Sequence, residues 1–270
     1  MPDALPPGDA YLSPPVQRAA RLLRRIAEGD AAANMSRTAR ALGISRTTLL
    51  RLLRTLEAER FIEPRGAEGA GWRIGTALIG LAARAFAGED LADAAAPVLT
   101  RLAETLGLSA HLGVLDGREV VYMLRRTPNH SFASNIRVGS RLPAHAANMG
   151  RIILAHLPED AVRRLYADAP MPPATAHTPT TPDALLARLQ ADREAGLAWS
   201  EGHFEPGIAS VAAVLRDGAG HPVGAINVSG QVASFAEHRD RIGAAVAAAA
   251  GEISARLGWP GARVALQAVA

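Results

Sequence analysis

The stretch that most constrains this chain is residues 36–57, SRTARALGISRTTLLRLLRTLE. Ser36 is placed to cap an Ala-rich helical run that reaches Leu42, and Gly43 stops it. After a short turn, Ser45 caps a second helix. On that helix Leu49, Leu52, Leu53 and Leu56 recur at i, i+3, i+4 and i+7, which puts them on one face and commits that face to a core. The opposite face presents Arg46, Thr47, Thr48, Arg51 and Arg54. A short helix, a Gly-containing turn and a helix divided into a leucine face and an Arg/Thr face predict a helix-turn-helix whose second helix enters the major groove of DNA. An ordinary helical hairpin with a solvated basic face has the same spacing, so the flanking sequence has to decide.

Residues 1–15 contain five prolines and little apolar pattern, which predicts a disordered arm. An amphipathic helix begins at Val16, with Val16, Ala19, Leu23 and Ile26 on one face, Leu22 beside it, Arg18, Arg21, Arg24 and Arg25 on the polar face, and Gly29 at its end. Behind the leucine-faced helix, Phe61 and Ile62 followed by PRGAEGAGWRIG predict two short strands about a Gly-rich turn. A hairpin in that position is a wing, and residues 16–75 then form a winged helix-turn-helix. Charge follows the same division. Residues 1–75 hold 12 Arg against 8 acidic residues, whereas 76–270 hold 17 Arg against 18. Such a split is expected if the first part alone meets phosphates. Arg46, Thr47, Thr48 and Arg51 are the candidates for base edges or nearby phosphates, and Ser36, Arg37, Ser45, Arg54, Arg65 and Arg73 complete the expected DNA surface.

Residues 76–89 read as a linking helix, apolar on most sides, whose natural outlets are the second domain and a second subunit. A further helix over 90–106 precedes a change of period. Residues 110–115 and 120–124 alternate about an Asp116-Gly117 turn, 135–138 suggests another strand, and 148–157, 159–166 and 182–195 read as helices. A second hairpin over 211–228 and a long Ala-rich helix over 236–257 complete an antiparallel sheet with packed helices, an α+β domain over 90–259 with a tail at 260–270. The apolar fraction of 49% supports well-filled cores, yet no apolar run approaches the ~18 residues of a membrane span. With no cysteine and no visible signal peptide, a cytoplasmic setting without membrane attachment is expected.

Several runs in order resemble the IclR family of bacterial transcription regulators: VQRAARLLRRIA, ARALGISRTTLLRLLRTLEAERFIE, GWRIG, LDGREVVYM, VGSRLPAHAANMGRIILAHLP and FEPGIASVAAVLRDGAGHPVGAINVSG. The resemblance implies a winged helix-turn-helix joined by a helix to a GAF-like effector domain. It also implies an operator of inverted half-sites as the DNA partner and a homodimer or dimer of dimers. The family's effector positions carry over to Asn148, Met149 and Gly150, to Ser200 and Ser210, and to Asn227 with Ser229. His145 and His203 lie nearby as possible partners of an anionic effector. Gly150 and its neighbours offer backbone N–H groups at a helix N-terminus, and the serines and asparagines are short hydrogen-bonding side chains. The chain departs from the commoner pattern at Ser200, where many relatives carry Asp, at Ser210, where many carry Cys, and in its NMGR run. MGR and NVS look more like the branch that senses aromatic acids.

Other readings leave weaker marks. The scattered histidines lack metal-ligand spacing, and no cofactor is expected beyond a small organic acid effector. Ser210 lacks a nucleophile elbow and ordered triad partners, so no enzyme is expected, with a hydrolase using Ser210 as the distant alternative. A small-molecule sensor acting through a protein partner is the other alternative.

Overall fold

The computed structural model describes residues 12–66, 71–87, 90–128, 136–202 and 207–261. The chain divides into two compact units, residues 1–88 and 89–270.

In the first unit, α1 (Pro14–Ala27), α2 (Met35–Ala41) and α3 (Arg46–Ala58) precede β1 (Ile62–Pro64) and β2 (Trp72–Ile74), and α4 (Thr76–Ala87) follows. The core gathers Leu22 and Ile26 of α1, Ala39 of α2, Leu49, Leu53 and Leu56 of α3, and Ile62 of β1. The apolar stripe of α1 is rotated from the one its spacing suggests, because Leu22 is fully buried and Val16 is exposed. The cap of α2 also differs. Asn34 accepts from the Arg37 N–H at 3.0 Å, and Ser36 sits inside the first turn, because the helix begins earlier than its Ala-rich run indicates. Gly43 takes φ +65° between α2 and α3, a conformation that disfavours any residue with a Cβ. β1 and β2 form the expected antiparallel hairpin, with Ile62 opposite Ile74 and Glu63 opposite Arg73.

The second unit is built on a six-stranded antiparallel sheet in the order β5-β4-β3-β8-β7-β6. Its strands are β3 (Ser109–Asp116), β4 (Glu119–Arg126), β5 (Arg141–Pro143), β6 (Ala198–Glu201), β7 (Ile208–Arg216) and β8 (Pro222–Gln231). The strand anticipated over 135–138 is not formed by its described residues. Val138 and Gly139 turn instead, and the edge strand is β5, where Arg141 pairs with Asp116 at 2.6 Å and with Glu119 at 2.7 Å. Asn135 lies outside the described residues. One sheet face is covered by α5 (Asp90–Leu106) and α10 (Arg239–Arg256), which bury Val98, Leu99, Val246 and Ile253 against Leu112, Val211, Ile226 and Val228. The long C-terminal helix is two helices, α9 (Val232–Ala236) and α10, broken at Glu237 and His238.

The other face carries α6 (Asn148–Leu154), backed by α7 (Glu159–Tyr166) and α8 (Pro182–Ala195). Every residue of α6 is buried. Gly150 lets the helix approach the preceding turn, since a Cβ there would lie 2.3 Å from the Ala144 Cα. Arg151 is also fully buried. Its guanidinium donates to Asp192 of α8 at 2.8 Å and to the Trp199 carbonyl of β6 at 2.6 Å, fastening α6 to both neighbours. A buried charge is tolerable because its donors are paired, and it becomes costly when one partner is removed. Asp192→Leu should therefore lower the unfolding free energy by about 3–5 kcal/mol. The double change Arg151→Met with Asp192→Leu should recover much of that loss. Urea denaturation of the three proteins checks this, and a single variant as stable as the parent would show that the pair does not hold α6.

Candidate functional site

On α3 the leucine face is spent on the core, and the exposed face carries Arg46, Thr47, Leu50, Arg51 and Arg54. Ser45 accepts from the Thr48 N–H at 3.1 Å, and the two hydroxyls lie 2.9 Å apart. Both side chains are thus engaged in starting the helix, and Thr48 is half-buried. Arg54 pairs with Glu57 at 3.0 Å, and Arg73 pairs across the hairpin with Glu63 at 3.1 Å. Both pairs are exposed, and such pairs are weak enough for a phosphate to compete. Ser36, Arg37 and Arg65 are exposed. Pattern reading gave Leu50 no place on either face of the helix. Leu50 is 48% exposed amid the arginines and threonine, an apolar spot on an otherwise polar face.

In the second unit a small, partly open pocket lies above the sheet at the N-terminal end of α6. Strand register builds its floor, because Ser200 of β6 is paired with Ser210 of β7, and Ser210 with Ser229 of β8. Side chains alternate along a strand, so Asn227 shares this face with Ser229 while Ile226 and Val228 enter the opposite core. Asn148 and Asn227 complete the polar lining. Tyr122, Ile136, Leu142, Ala147 and Ile208 supply an apolar wall.

A directed set of hydrogen bonds underlies this floor. Asn148 Oδ1 accepts from the Met149 N–H at 2.9 Å and from Asn227 Nδ2 at 3.2 Å. Its Nδ2 donates to the Ala198 carbonyl at 3.3 Å and to Ser210 Oγ at 3.0 Å. Asn227 Oδ1 in turn meets Nδ1 of His111 on β3 at 2.9 Å. His111 is fully buried, edge-on to Tyr122, with 5.5 Å between ring centroids. Burial holds its pKa down to about 4, opposed by the Asn227 hydrogen bond and aided by the nearby Arg125 charge. Burial likewise pushes the Tyr122 hydroxyl well above its ordinary value, so both rings are neutral near pH 7.

Of the nine expected effector residues, Asn148, Ser200, Ser210, Asn227 and Ser229 therefore meet at one cavity. Three others lie elsewhere. Met149 packs into the core between α6 and the sheet, and its N–H is already taken by the Asn148 side chain. Gly150 serves the close approach of α6 to Ala144. His145 bonds the Pro172 carbonyl at 3.1 Å and packs on Tyr166, on the α7 side. His203 lies outside the described residues. Ser210 is partnered by an amide, a group that cannot accept a proton as a catalytic base does.

Two family descriptions match the chain. The IclR helix-turn-helix domain covers residues 15–66, and the bacterial transcriptional regulator IclR C-terminal domain covers residues 83–255. This chain belongs to the IclR family of bacterial transcriptional regulators. The IclR-family protein is 30% identical over 246 residues to the glycerol operon regulatory protein of Streptomyces coelicolor, covering 90% of this chain and 96% of that one. It is 28% identical over 244 residues to the regulator XynR of Escherichia coli, with 87% and 96% covered. Among solved structures it is similar to an IclR-type regulator of Alicyclobacillus acidocaldarius, at TM-score 0.78 and 28% identity, covering 92% of this chain and 100% of that one. The chain is thus a transcriptional regulator with an N-terminal DNA-binding helix-turn-helix and a C-terminal effector domain. No helix among the described residues is long and apolar enough to cross a membrane.

The buried imidazole gives this IclR-family protein an acid-sensitive core. An unfolded His takes up a proton near pH 6.5, whereas folded His111 resists until about 4. The stability it contributes is therefore complete above pH 6.5 and lost as pH falls through 4, by about 3 kcal/mol in all. Burial shifts His145 and His156 in the same direction. Chemical denaturation of wild type and His111→Asn from pH 7 to 4 should show a shallower decline in the variant. Parallel declines would mean that His111 is not held neutral by the fold.

Proposed function

We propose that this regulator binds an operator of inverted half-sites as a dimer or dimer of dimers, and that a small organic acid, aromatic in kind, controls it from the cavity beside α6. The reading rests on the cavity's lining. A row of neutral hydrogen-bonding groups at Ser200, Ser210, Asn227 and Ser229 faces an apolar wall that includes Tyr122, Ile136, Leu142 and Ile208. Such a lining suits a flat apolar body bearing an oxygen-rich end. The exposed apolar side chains of Ile79 and Leu81 on α4 support self-association. A ligand shifts DNA affinity to the extent that it prefers one arrangement of the oligomer over another. Because folding is favoured by anything that binds the native state, benzoate should raise the melting temperature more than acetate or pyruvate. Equal or absent shifts across these acids would overturn the aromatic assignment.

On DNA, Arg46 and Arg51 are the proposed base or phosphate contacts, Thr47 joins them, and Ser36, Arg37, Arg54, Arg65 and Arg73 are proposed to position the module on phosphates. Ser45 and Thr48 preserve the start of α3. Leu50 is suited to the methyl group of thymine, the one apolar feature on a base edge in the major groove. A gel shift on the promoter fragment of its own gene should weaken steeply with salt. Arg51→Ala should cost about 1–3 kcal/mol at a base contact and relax specificity there. Unchanged affinity and sequence preference in both Arg46→Ala and Arg51→Ala would place α3 elsewhere than in the groove.

A further inference from the structure

On the reading of this pocket as the site of an organic acid effector, we infer that Arg125 of β4 is the counter-ion of the effector's carboxylate. The pocket's own lining does not supply one. Asn148, Ser200, Ser210, Asn227 and Ser229 are neutral, and so are the apolar side chains that face them. Moving a carboxylate from water into neutral surroundings is costly unless a positive group meets it. Several arginines on this side of the sheet are already paired. Arg151 of α6 and Arg188 of α8 both meet Asp192, and Arg141 of β5 meets Asp116 and Glu119. Arg125 has no carboxylate partner among the described residues; its hydrogen bonds go to a hydroxyl and a carbonyl.

A bulge in β4 puts Arg125 on the face of the sheet that carries the pocket. β3 and β4 stay in register from Ala110 opposite Arg126 to Leu112 opposite Leu124, and then shift so that Gly113 lies opposite Tyr122. Met123 is the extra residue. It places Tyr122 and Arg125 on one face although they are three apart, a spacing that unbroken alternation would send to opposite faces. The neighbours agree. Arg126 donates to Thr100 of α5 at 3.2 Å, on the far face. Arg125 is the register partner of His111, whose ring meets Asn227 and Tyr122 on the near face.

The guanidinium is held at the pocket's edge with donors to spare. Its Nε donates to Thr127 Oγ1 at 3.0 Å, and its Nη1 donates to the carbonyl of Ile136, a residue of the apolar wall. Nη2 has no acceptor among the described residues, so part of the fork that suits a carboxylate is still open. A row of hydroxyls leads to it from the pocket. Ser200, Ser210, Ser229 and Ser109 are register partners across four strands, and Ser109 Oγ donates to Thr127 Oγ1 at 3.4 Å. The charge of Arg125 is felt along this floor, where it helps to keep His111 neutral. An acid lying over the row meets neutral hydrogen-bonding groups along its length and a cation at the β4 end.

Calorimetric titration with benzoate and with benzamide, its uncharged counterpart, tests this in wild type and Arg125→Gln. Wild type should bind benzoate the more tightly, and Arg125→Gln should lose about tenfold or more of its benzoate affinity while benzamide binding is unchanged. Equal affinities in wild type, or a ratio that Arg125→Gln leaves unaltered, would overturn the inference and leave the pocket as the effector site. Wild type binding neither probe would overturn the aromatic-acid reading, and the counter-ion with it. If Arg125→Gln does not fold, Arg125→Lys carries the test, because it keeps the charge and loses the paired donors. Benzoate alone should then weaken several-fold, and an equal change for both probes would contradict the role given to Arg125.

Discussion

The amide of Asn148 accepts from the Met149 N–H of α6 and from β8, and it donates to β6 and β7. One side chain thus ties a helix to three strands, and each tie depends on the amide keeping one orientation. α6 can hold that amide still because the helix is itself immobilised by the buried Arg151, bonded to Asp192 and to the Trp199 carbonyl, and by the close approach of Gly150 to Ala144. A ligand that touches Ser210 or Asn227 therefore touches a set of elements already locked together. Preorganised polar groups of this kind bind without reordering at the moment of contact, which is the physical use of a rigid floor.

The DNA-binding unit works by a different economy. Its core is small, drawing mainly on Leu22, Leu49, Leu53, Leu56 and Ile62, and its working face is left to solvent. Ser45 and Thr48 are bonded to each other in starting α3, and Arg46, Thr47, Leu50, Arg51 and Arg54 remain exposed on its outer face. Arginine is the cation at every basic position in the chain, and its planar fork suits paired contacts to guanine or to phosphate oxygens better than lysine does.

The helix-turn-helix was legible because its signals are local. Gly43, the Ser45 cap and the leucines of α3 lie within a few turns of one another, and hydrophobic spacing there reports burial directly. The start of α2 was less legible, since Asn34 and Ser36 are both good capping residues two positions apart. The cavity was legible only in part. Resemblance located its serines and asparagines, but its apolar wall comes from strands and loops distant in sequence, and no spacing brings Tyr122 or Ile208 to Asn148. His111 left no local sign beyond its place in an alternating strand. Its contact with Asn227 depends on β3 lying beside β8, a pairing across more than a hundred residues. Met149 and Gly150 show the converse case, in which adjacency to a site residue suggested contact while the helix turned both toward packing.

The link between the cavity and DNA binding is tested most directly by fluorescence anisotropy of a labelled promoter fragment, titrated with wild type and with Asn148→Leu, with and without saturating benzoate. Benzoate is expected to change the DNA affinity of wild type and to leave that of the variant unchanged. An equal change in both proteins, or none in wild type, would contradict control through this cavity.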